Sequence, residues 1–270
     1  LAFLRSDARG RAQVFVVPAA GGEPVQVTDQ AGGVTDLSWS PDGTRLAFTA
    51  RIVEPGRYGT VEGRDAGAEP PRRITGIRWH ANGHGYLDRP AHLFVVDAPA
   101  ADAEPFYEPA PDVVTAEKRI VASAPRQLTD GATSWSGVAW TADGRELLSV
   151  PDVIEDRVAD LRSRVVAVSV DGGAEHELLG TAAHLSIDEV AVAPDGAIFL
   201  RGNDVGESGV DFVAPGTAVW LLEADGPRPL TDPETIDLGE VGSHLSFPGD
   251  DVLVQDRTRG RLRLLRVTRG

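Results

Sequence analysis

The sequence predicts an all-β protein, a β-propeller of four-stranded blades, because two landmarks recur along it at a common spacing. The first is a hydrophobic segment that ends in a tight turn, and its turn residues are 101, 52 and 54 positions apart: Pro41, Ala142, Pro194 and Pro248. The second is a valine- and leucine-rich segment that leads to a Thr-Asp ending, with spacings of 101, 50 and 52: Thr28, Thr129, Leu179 and Thr231. Short apolar segments and turns that repeat about every fifty residues, with almost no helical periodicity, are typical of propeller blades.

Each repeat is predicted to contain four strands. The first ends at a Pro-Asp-Gly turn or its equivalent, the second follows that turn, the third is rich in valine and leucine, and the fourth closes at Thr-Asp. Asp-Gly between apolar segments favours a hairpin because the turn needs a positive φ, which glycine adopts without strain. We therefore interpret the acidic residues of these turns as structural rather than catalytic: Asp42, Asp143 and Asp195.

The spacing predicts one domain with five blades, two of them partial. The expected boundaries are 1–33, 34–131, 132–185, 186–238 and 239–270. The doubled interval predicts an insertion at 51–90, between the second and third strands of the second blade; a degenerate extra blade is the other interpretation. Because the opening Leu1-Ala2-Phe3-Leu4 matches a second strand and no fourth strand follows the last segment, we expect the chain to be a fragment.

The amino-acid composition disfavours several classes of binding partner and excludes several kinds of chemical site. Acidic residues outnumber basic ones by 41 to 26, and the resulting charge of −15 disfavours nucleic acid and anionic membrane surfaces. Without cysteine there is no disulfide, no thiolate metal site and no cysteine nucleophile, which suits the cytoplasm. No apolar run is long enough for a membrane helix. We expect neither a membrane partner nor a cofactor.

The insertion holds the residues most open to a functional role. Trp79 and Tyr86 have large apolar faces with a polar tip, so on an exposed hairpin they could line a peptide path or contact a neighbouring domain; packing within the insertion is the alternative. His80 and His84 are four residues apart, but the glycines around them disfavour a helix, so we predict no metal site. The strand tryptophans are expected to be core residues: Trp39, Trp140 and Trp220.

Two segments resemble a known family. The alternation of the motif at 39–48 with Phe-Val-Val and Leu-Thr-Asp is similar both to TolB and to the propeller of the prolyl oligopeptidase family. The segments 74–86 and 89–97 are more specific, because they resemble the inserted hairpin and the following strand of the acylaminoacyl-peptidase and dipeptidyl-aminopeptidase branch.

This resemblance implies a seven-bladed, non-catalytic propeller that caps an α/β-hydrolase domain with a Ser-Asp-His triad and admits only short peptides. The chain has no Gly-x-Ser-x-Gly elbow, since Gly206-Glu207-Ser208 lacks the final glycine, so we assign it no catalytic residue and expect the hydrolase domain downstream. In the aminopeptidase relatives propeller glutamates can hold the substrate amine, and three glutamates lie in the corresponding region: Glu54, Glu62 and Glu69.

The expected partners are therefore short peptide substrates of the parent enzyme and its own hydrolase domain, with a homo-oligomer left open. The alternative function is a stand-alone TolB-like propeller that acts as a protein-interaction scaffold.

Overall fold

In the described residues of a computed structural model of the chain, the secondary structure consists mainly of nineteen short strands, β1–β19, and includes a 3₁₀ turn at Thr181–Ala183. The structure describes residues 1–61, 63, 68–76, 79–82, 85–100, 103, 124–152, 160–172, 174–213, 216–238, 244–249 and 251–269. The chain divides into two units, Leu1–Ser134 and Trp135–Gly270.

The first unit contains two sheets and a small hairpin. Sheet 1 has three strands: β1 (Ala2–Ser6), β2 (Ala12–Val16) and β3 (Val25–Gln26). Sheet 2 has four: β4 (Val34–Trp39), β5 (Arg45–Arg51), β8 (Ala91–Asp97) and β9 (Arg126–Gln127). The hairpin lies between β5 and β8 in the chain and consists of β6 (His80–Ala81) and β7 (Gly85–Tyr86). Because β5 pairs directly with β8, the intervening residues leave sheet 2 and return to it.

The second unit contains three sheets. Sheet 3 comprises β10 (Trp135–Trp140), β11 (Glu146–Pro151), β12 (Val165–Ser169) and β13 (Glu175–Leu179). Sheet 4 comprises β14 (Leu185–Val192), β15 (Ile198–Asp204), β16 (Ala218–Glu223) and β17 (Gly226–Pro229). Sheet 5 pairs β18 (Val252–Thr258) with β19 (Arg261–Val267), and Ser246 forms an isolated bridge to Leu253.

Every four-stranded sheet is an antiparallel meander whose strands follow one another in chain order. The first strand of each carries a register shift at a similar place, between Val34 and Asp36 in β4, for example, and bulges of this kind increase strand twist. Repeated twisted meanders of four strands are the blades of a propeller, so the predicted fold class is confirmed.

Apolar side chains fill the space between successive sheets of each unit. In the first unit, Val14 of sheet 1 packs in one cluster with Leu46, Phe48 and Phe94 of sheet 2. The second unit has two such clusters, one between sheets 3 and 4 and one between sheets 4 and 5. The third strands β8 and β12 are almost wholly buried, which explains why their sequences are continuous apolar runs.

The expectation that Trp39 is a core residue is wrong. Its side chain is 36% exposed, whereas Trp140, at the equivalent end of β10, is 4% exposed. Both tryptophans end the first strand of their sheet, Trp39 opposite Leu46 and Trp140 opposite Leu147. Burial at a strand end therefore depends on the surrounding side chains, which differ between the two sheets, and not on the position in the repeat. Trp220 is half-buried, and its Nε1 donates to the carbonyl oxygen of Gly202 at 3.1 Å.

The Asp-Gly turns are held by hydrogen bonds to the aspartate side chains, as the turn interpretation requires. Asp42 Oδ1 accepts hydrogen bonds from the Ser40 hydroxyl at 2.6 Å and from the backbone N–H of Thr44 at 3.0 Å. Asp143 accepts from the backbone N–H of Arg145 at 3.1 Å, and Asp195 from that of Ala197 at 3.1 Å. The glycine that follows each aspartate has φ between 68° and 90°. These acids therefore fix turns.

Low pH should destabilise the turn that contains Asp42, and this effect can be measured. The Ser40 hydroxyl and then Thr44 lower the pKa of Asp42 from 3.8 to about 2. Because the folded pKa is the lower one, the carboxylate stabilises the fold above about pH 4 and loses this effect as the pH falls through about 2. Asp42→Asn should therefore flatten the dependence of the melting temperature on pH in this range. Thermal unfolding followed by circular dichroism measures it, and Asp225→Asn in another exposed turn is the control. Identical slopes for the wild type and D42N would contradict the turn role.

The Thr-Asp landmark marks a buried hydrogen bond that recurs in three sheets. In each, a threonine hydroxyl just after the last strand of the sheet accepts the backbone N–H of a residue in the strand before it, at 2.9, 3.0 and 3.0 Å: Thr28 from Val14, Thr129 from Leu93 and Thr231 from Val219. All three threonines are buried. The hydroxyl thus satisfies an N–H that water cannot reach.

Removing that hydroxyl should be costly. Thr28→Val keeps the side-chain shape but leaves the N–H of Val14 buried without an acceptor, so we expect the free energy of unfolding to fall by about 1–3 kcal/mol. Thr28→Ser retains the oxygen and should lose less, while Thr268→Val at an exposed position should be close to neutral. Urea denaturation measures all three. Equal losses for Thr28→Val and Thr28→Ser would rule out the hydrogen bond as the cause.

Candidate functional site

Residues 52–90, here called the inserted segment, leave sheet 2 after β5 and rejoin it at β8. Two hydrogen bonds join the beginning of this segment to its end. The backbone N–H of Ile52 donates to the carbonyl of Pro90 at 2.8 Å, and the Arg51 guanidinium donates to the carbonyl of Arg89 at 3.3 Å. The two ends of the inserted segment are therefore held side by side, which fixes where its described parts start and finish.

The predicted hairpin brings Trp79 and Tyr86 together. His80 pairs with Tyr86 across β6 and β7, and the backbone N–H of Leu87 donates to the carbonyl of Trp79 at 3.0 Å. The two ring centroids are 5.7 Å apart, within the usual range for aromatic pairs. Trp79 is 44% exposed. The hairpin thus presents an aromatic face to solvent while its backbone is anchored.

Two arginine side chains of the inserted segment, Arg72 and Arg89, pack against its tyrosine rings. The Arg72 guanidinium lies 4.0 Å from the ring centroid of Tyr86 and 5.0 Å from that of Tyr58, and the Arg89 guanidinium lies 4.1 Å from Tyr58. Each distance is short enough for a cation–π interaction. Arg72 therefore links the hairpin to the first part of the inserted segment.

Asp88 completes this cluster. Its carboxylate accepts hydrogen bonds from the hydroxyl of Tyr58 and from Nε of Arg72, the latter at 3.0 Å. Burial acts to raise the pKa of Asp88, but the hydrogen bonds from Tyr58 and Arg72 outweigh it and lower the pKa below 3.8. The carboxylate is charged at neutral pH and orients both partners. We call Tyr58, Arg72, Trp79, Tyr86 and Asp88 the aromatic–arginine cluster.

Arg57 ties together two stretches of the inserted segment that are distant in sequence. Its side chain is 7% exposed, and its guanidinium pairs with Glu54 at 2.7 Å. The same guanidinium donates to the carbonyl oxygens of Pro70 at 2.6 Å and Pro71 at 3.1 Å. The Arg57 side chain therefore supplies hydrogen bonds to both proline carbonyls and holds the two stretches together.

Two of the three glutamates considered for substrate binding have structural partners. Glu54 pairs with Arg57, and the Glu69 carboxylate accepts the backbone N–H of Tyr58 at 2.7 Å. Glu62 lies outside the described residues. No described glutamate of the inserted segment is therefore set apart as a ligand for an amine.

Where the structure describes them, the other motifs considered from the sequence form no metal or catalytic site. His80 lies on β6 with its ring edge-on to Tyr86 at 6.1 Å, and His84 is outside the described residues. Across the described residues, no three His, Cys, Asp or Glu side chains are grouped to hold a metal ion. Ser208 lies in the turn 206–209, where its hydroxyl accepts the backbone N–H of Val210 at 3.3 Å. In the part of the chain that the structure describes, no helix is both long and apolar enough to cross a membrane.

Sequence reasoning found the hairpin residues but missed Tyr58, Arg72 and Asp88. These three are separated by 14 and 16 positions, and no motif or period connects them. The available signal was compositional, since arginine and aromatic residues alternate within the inserted segment. That signal indicates cation–π contacts in general but does not specify the pairs.

Comparison with known proteins identifies sequences and structures that are similar to this chain. No protein-family model matches the sequence. The chain is 29% identical over 96 residues to a Bacillus subtilis (strain 168) protein named uncharacterized peptidase YuxL, a match that spans 36% of this chain and 14% of the relative. It superposes on the acylaminoacyl peptidase of Pyrococcus horikoshii with a TM-score of 0.58 at 13% identity, covering 97% of this chain and 34% of that one.

The same fold occurs in an unrelated setting. Kuenenia stuttgartiensis hydrazine synthase superposes with a TM-score of 0.55 at 14% identity, covering 98% of this chain and 35% of that one. The chain thus spans about a third of the length of these solved relatives, and the fold alone does not select a function. The predicted resemblance is nevertheless confirmed, for this chain is a β-propeller similar to part of the acylaminoacyl peptidase structure and shares sequence with a bacterial peptidase.

Proposed function

We propose that this chain is the non-catalytic propeller of a serine peptidase that removes amino-terminal or acylated residues from short peptides. In this proposal an α/β-hydrolase domain follows in the sequence, and the propeller limits which peptides reach it. The sequence similarity to a named peptidase supports this proposal over the other functions that propellers serve. The absence of cysteine leads us to propose a cytoplasmic location.

The exposed, anchored aromatic face of the inserted segment is the observation that carries the proposal. Trp79 and Tyr86 pack together with tilted rings, Arg72 packs against Tyr86 and is itself held by Asp88, and the indole remains 44% exposed. A rigid aromatic face of this kind can contact an extended peptide or a neighbouring domain with little loss of side-chain entropy. A stand-alone scaffold of the TolB type would use such a face for a protein partner instead.

Activity measurements on two proteins test this function. The purified 270-residue chain should not hydrolyse an acyl-aminoacyl anilide, whereas the whole protein, translated from the extended reading frame, should hydrolyse it. Trp79→Ala in the whole protein should raise KM for short peptides more than it lowers kcat, because the indole binds and does not react. Hydrolysis by the 270-residue chain, or a whole protein without peptidase activity, would contradict the proposal.

A further inference from the structure

A cleft of about 550 Å³ opens beside the base of the inserted segment in the first unit. Its walls are the turn 9–12 between β1 and β2, the segment 31–35 that leads into β4, and four residues of the inserted segment: Val53, Tyr58, Gly59 and Arg89. This volume lies within the range of about 300–1,000 Å³ that is usual for small-ligand sites. Nothing in the proposed function requires this cleft.

The lining of the cleft is positively charged. Arg9, Arg11 and Arg89 line it, and none of the described lining residues is acidic, although the chain contains 41 acidic residues. Arg11 is balanced by Asp7 at 2.6 Å and Asp29 at 3.1 Å.

Arg9 differs from Arg11 because it is exposed and pairs with no carboxylate of the described residues. It therefore gives the cleft a positive charge that can attract an anion from solvent.

The wall formed by Tyr58 and Arg89 is held in a fixed arrangement. Tyr58 has φ 54°, in the left-handed region that a bulky residue rarely adopts. Such a conformation persists where the surroundings impose it, and here Asp88 accepts the phenol hydroxyl while the Arg89 guanidinium lies 4.1 Å from the ring centroid. The Arg89 guanidinium is thereby held against the ring. Backbone strain of this kind accumulates at binding sites more often than elsewhere.

A further cation lies close to this wall. The Arg51 guanidinium donates to the carbonyl of Arg89, and burial, followed by the charge of Arg89, lowers the pKa of Arg51. Like charges that are partly removed from water repel one another, so an anion in the cleft would reduce this repulsion.

We propose that this cleft binds the carboxylate group of a small organic ligand between Arg9 and Arg89. A planar guanidinium matches a carboxylate through two parallel hydrogen bonds. A single negative charge suits the cleft better than a phosphate dianion, because Asp7 and Asp29 already balance the charge of Arg11 and the whole chain carries −15. The carboxylate can come from the C-terminus of a short peptide or from a free organic acid.

Calorimetric titration of the 270-residue chain at low ionic strength tests the proposal with four probes. They are N-acetyl-triglycine, its C-terminal amide, butyrate and inorganic phosphate. We expect at least one carboxylate probe to bind about tenfold or more tightly than both the amide and phosphate, as charge-assisted hydrogen bonds predict. The peptide acid binding better than butyrate identifies a peptide terminus as the ligand, and the reverse identifies a free acid. An amide or phosphate that binds as tightly as the acids would overturn the proposal, as would no binding by either acid.

Two variants connect the binding to the named arginines. Arg9→Gln removes an exposed charge that has no described ion pair, so it should leave the fold intact and weaken carboxylate binding about tenfold. Arg89→Gln should weaken it at least as much. Arg73→Gln, which removes an exposed arginine of the same segment outside the cleft, is the matched control and should not change the affinity. An unchanged affinity in Arg9→Gln, or an equal loss in Arg73→Gln, would refute the site.

Discussion

Phe48→Ala is expected to lower the free energy of unfolding by about 3–5 kcal/mol, the range for large-to-small substitutions of buried aromatic residues. Phe48 is 0% exposed and lies on β5, at the centre of the cluster that joins sheets 1 and 2. Its ring stacks on Phe94 of β8 with centroids 5.3 Å apart and planes 4° from parallel. Alanine would remove this contact and leave a cavity, because neighbouring strands are fixed by their ladders.

Urea denaturation of the 270-residue chain measures this loss. Phe48→Leu should lose less because it refills part of the space, and Leu262→Ala on the exposed face of β19, where the side chain is 58% exposed, should change stability by less than about 0.5 kcal/mol. A loss in Phe48→Ala no greater than in Leu262→Ala would contradict the packing of sheets 1 and 2 described here.

Arg57→Gln is expected to expose the inserted segment to proteolysis while leaving the sheets folded. The guanidinium satisfies the carbonyls of Pro70 and Pro71 and pairs with Glu54, and glutamine cannot make all three contacts. Hydrogen bonds to charged groups stabilise a folded segment more than hydrogen bonds between neutral groups do. Their loss in Arg57→Gln should therefore make local opening of the inserted segment about 10- to 100-fold more frequent. The inserted segment contains three aromatic cleavage sites for chymotrypsin: Tyr58, Trp79 and Tyr86.

Chymotrypsin cleavage rates under native conditions, with the sites identified by mass spectrometry, measure this opening. Arg73→Gln carries the same change at an exposed position and should be cleaved at the wild-type rate. Equal acceleration in both variants would show that net charge, rather than the contacts of Arg57, controls the opening. Cleavage that begins within β5 or β8 would show that the inserted segment and sheet 2 unfold together.

The repeated parts of the fold were predictable because their determinants are local or periodic. An Asp-Gly pair encodes its own turn, as the bonds to Asp42 illustrate, and the threonine landmark reports a hydrogen bond that recurs in three sheets. Trp39 shows the limit of this reasoning. Its equivalence to Trp140 in the repeat predicts the same burial, but burial at a strand end depends on the side chains that surround it, which the repeat itself does not specify.

The candidate site was predictable only in part. The hairpin of Trp79 and Tyr86 was predictable from the resemblance of the segment 74–86 to an inserted hairpin. The support from Arg72 and Asp88 depends on how a non-periodic segment folds back on itself, and a single sequence holds no signal for such pairs. A role of Trp79 and Tyr86 toward substrate or a neighbouring domain stays a prediction.

The dependence of hydrolysis on substrate length in the whole protein tests the central claim most directly. Acylated peptides of increasing length, up to unfolded casein, would be compared under identical conditions with the wild type and with Arg57→Gln, whose inserted segment is loosened. The gating account predicts that the wild type cleaves short peptides and leaves casein intact, and that Arg57→Gln cleaves longer substrates than the wild type does. Cleavage of casein by the wild type at the rate of a short peptide would contradict it.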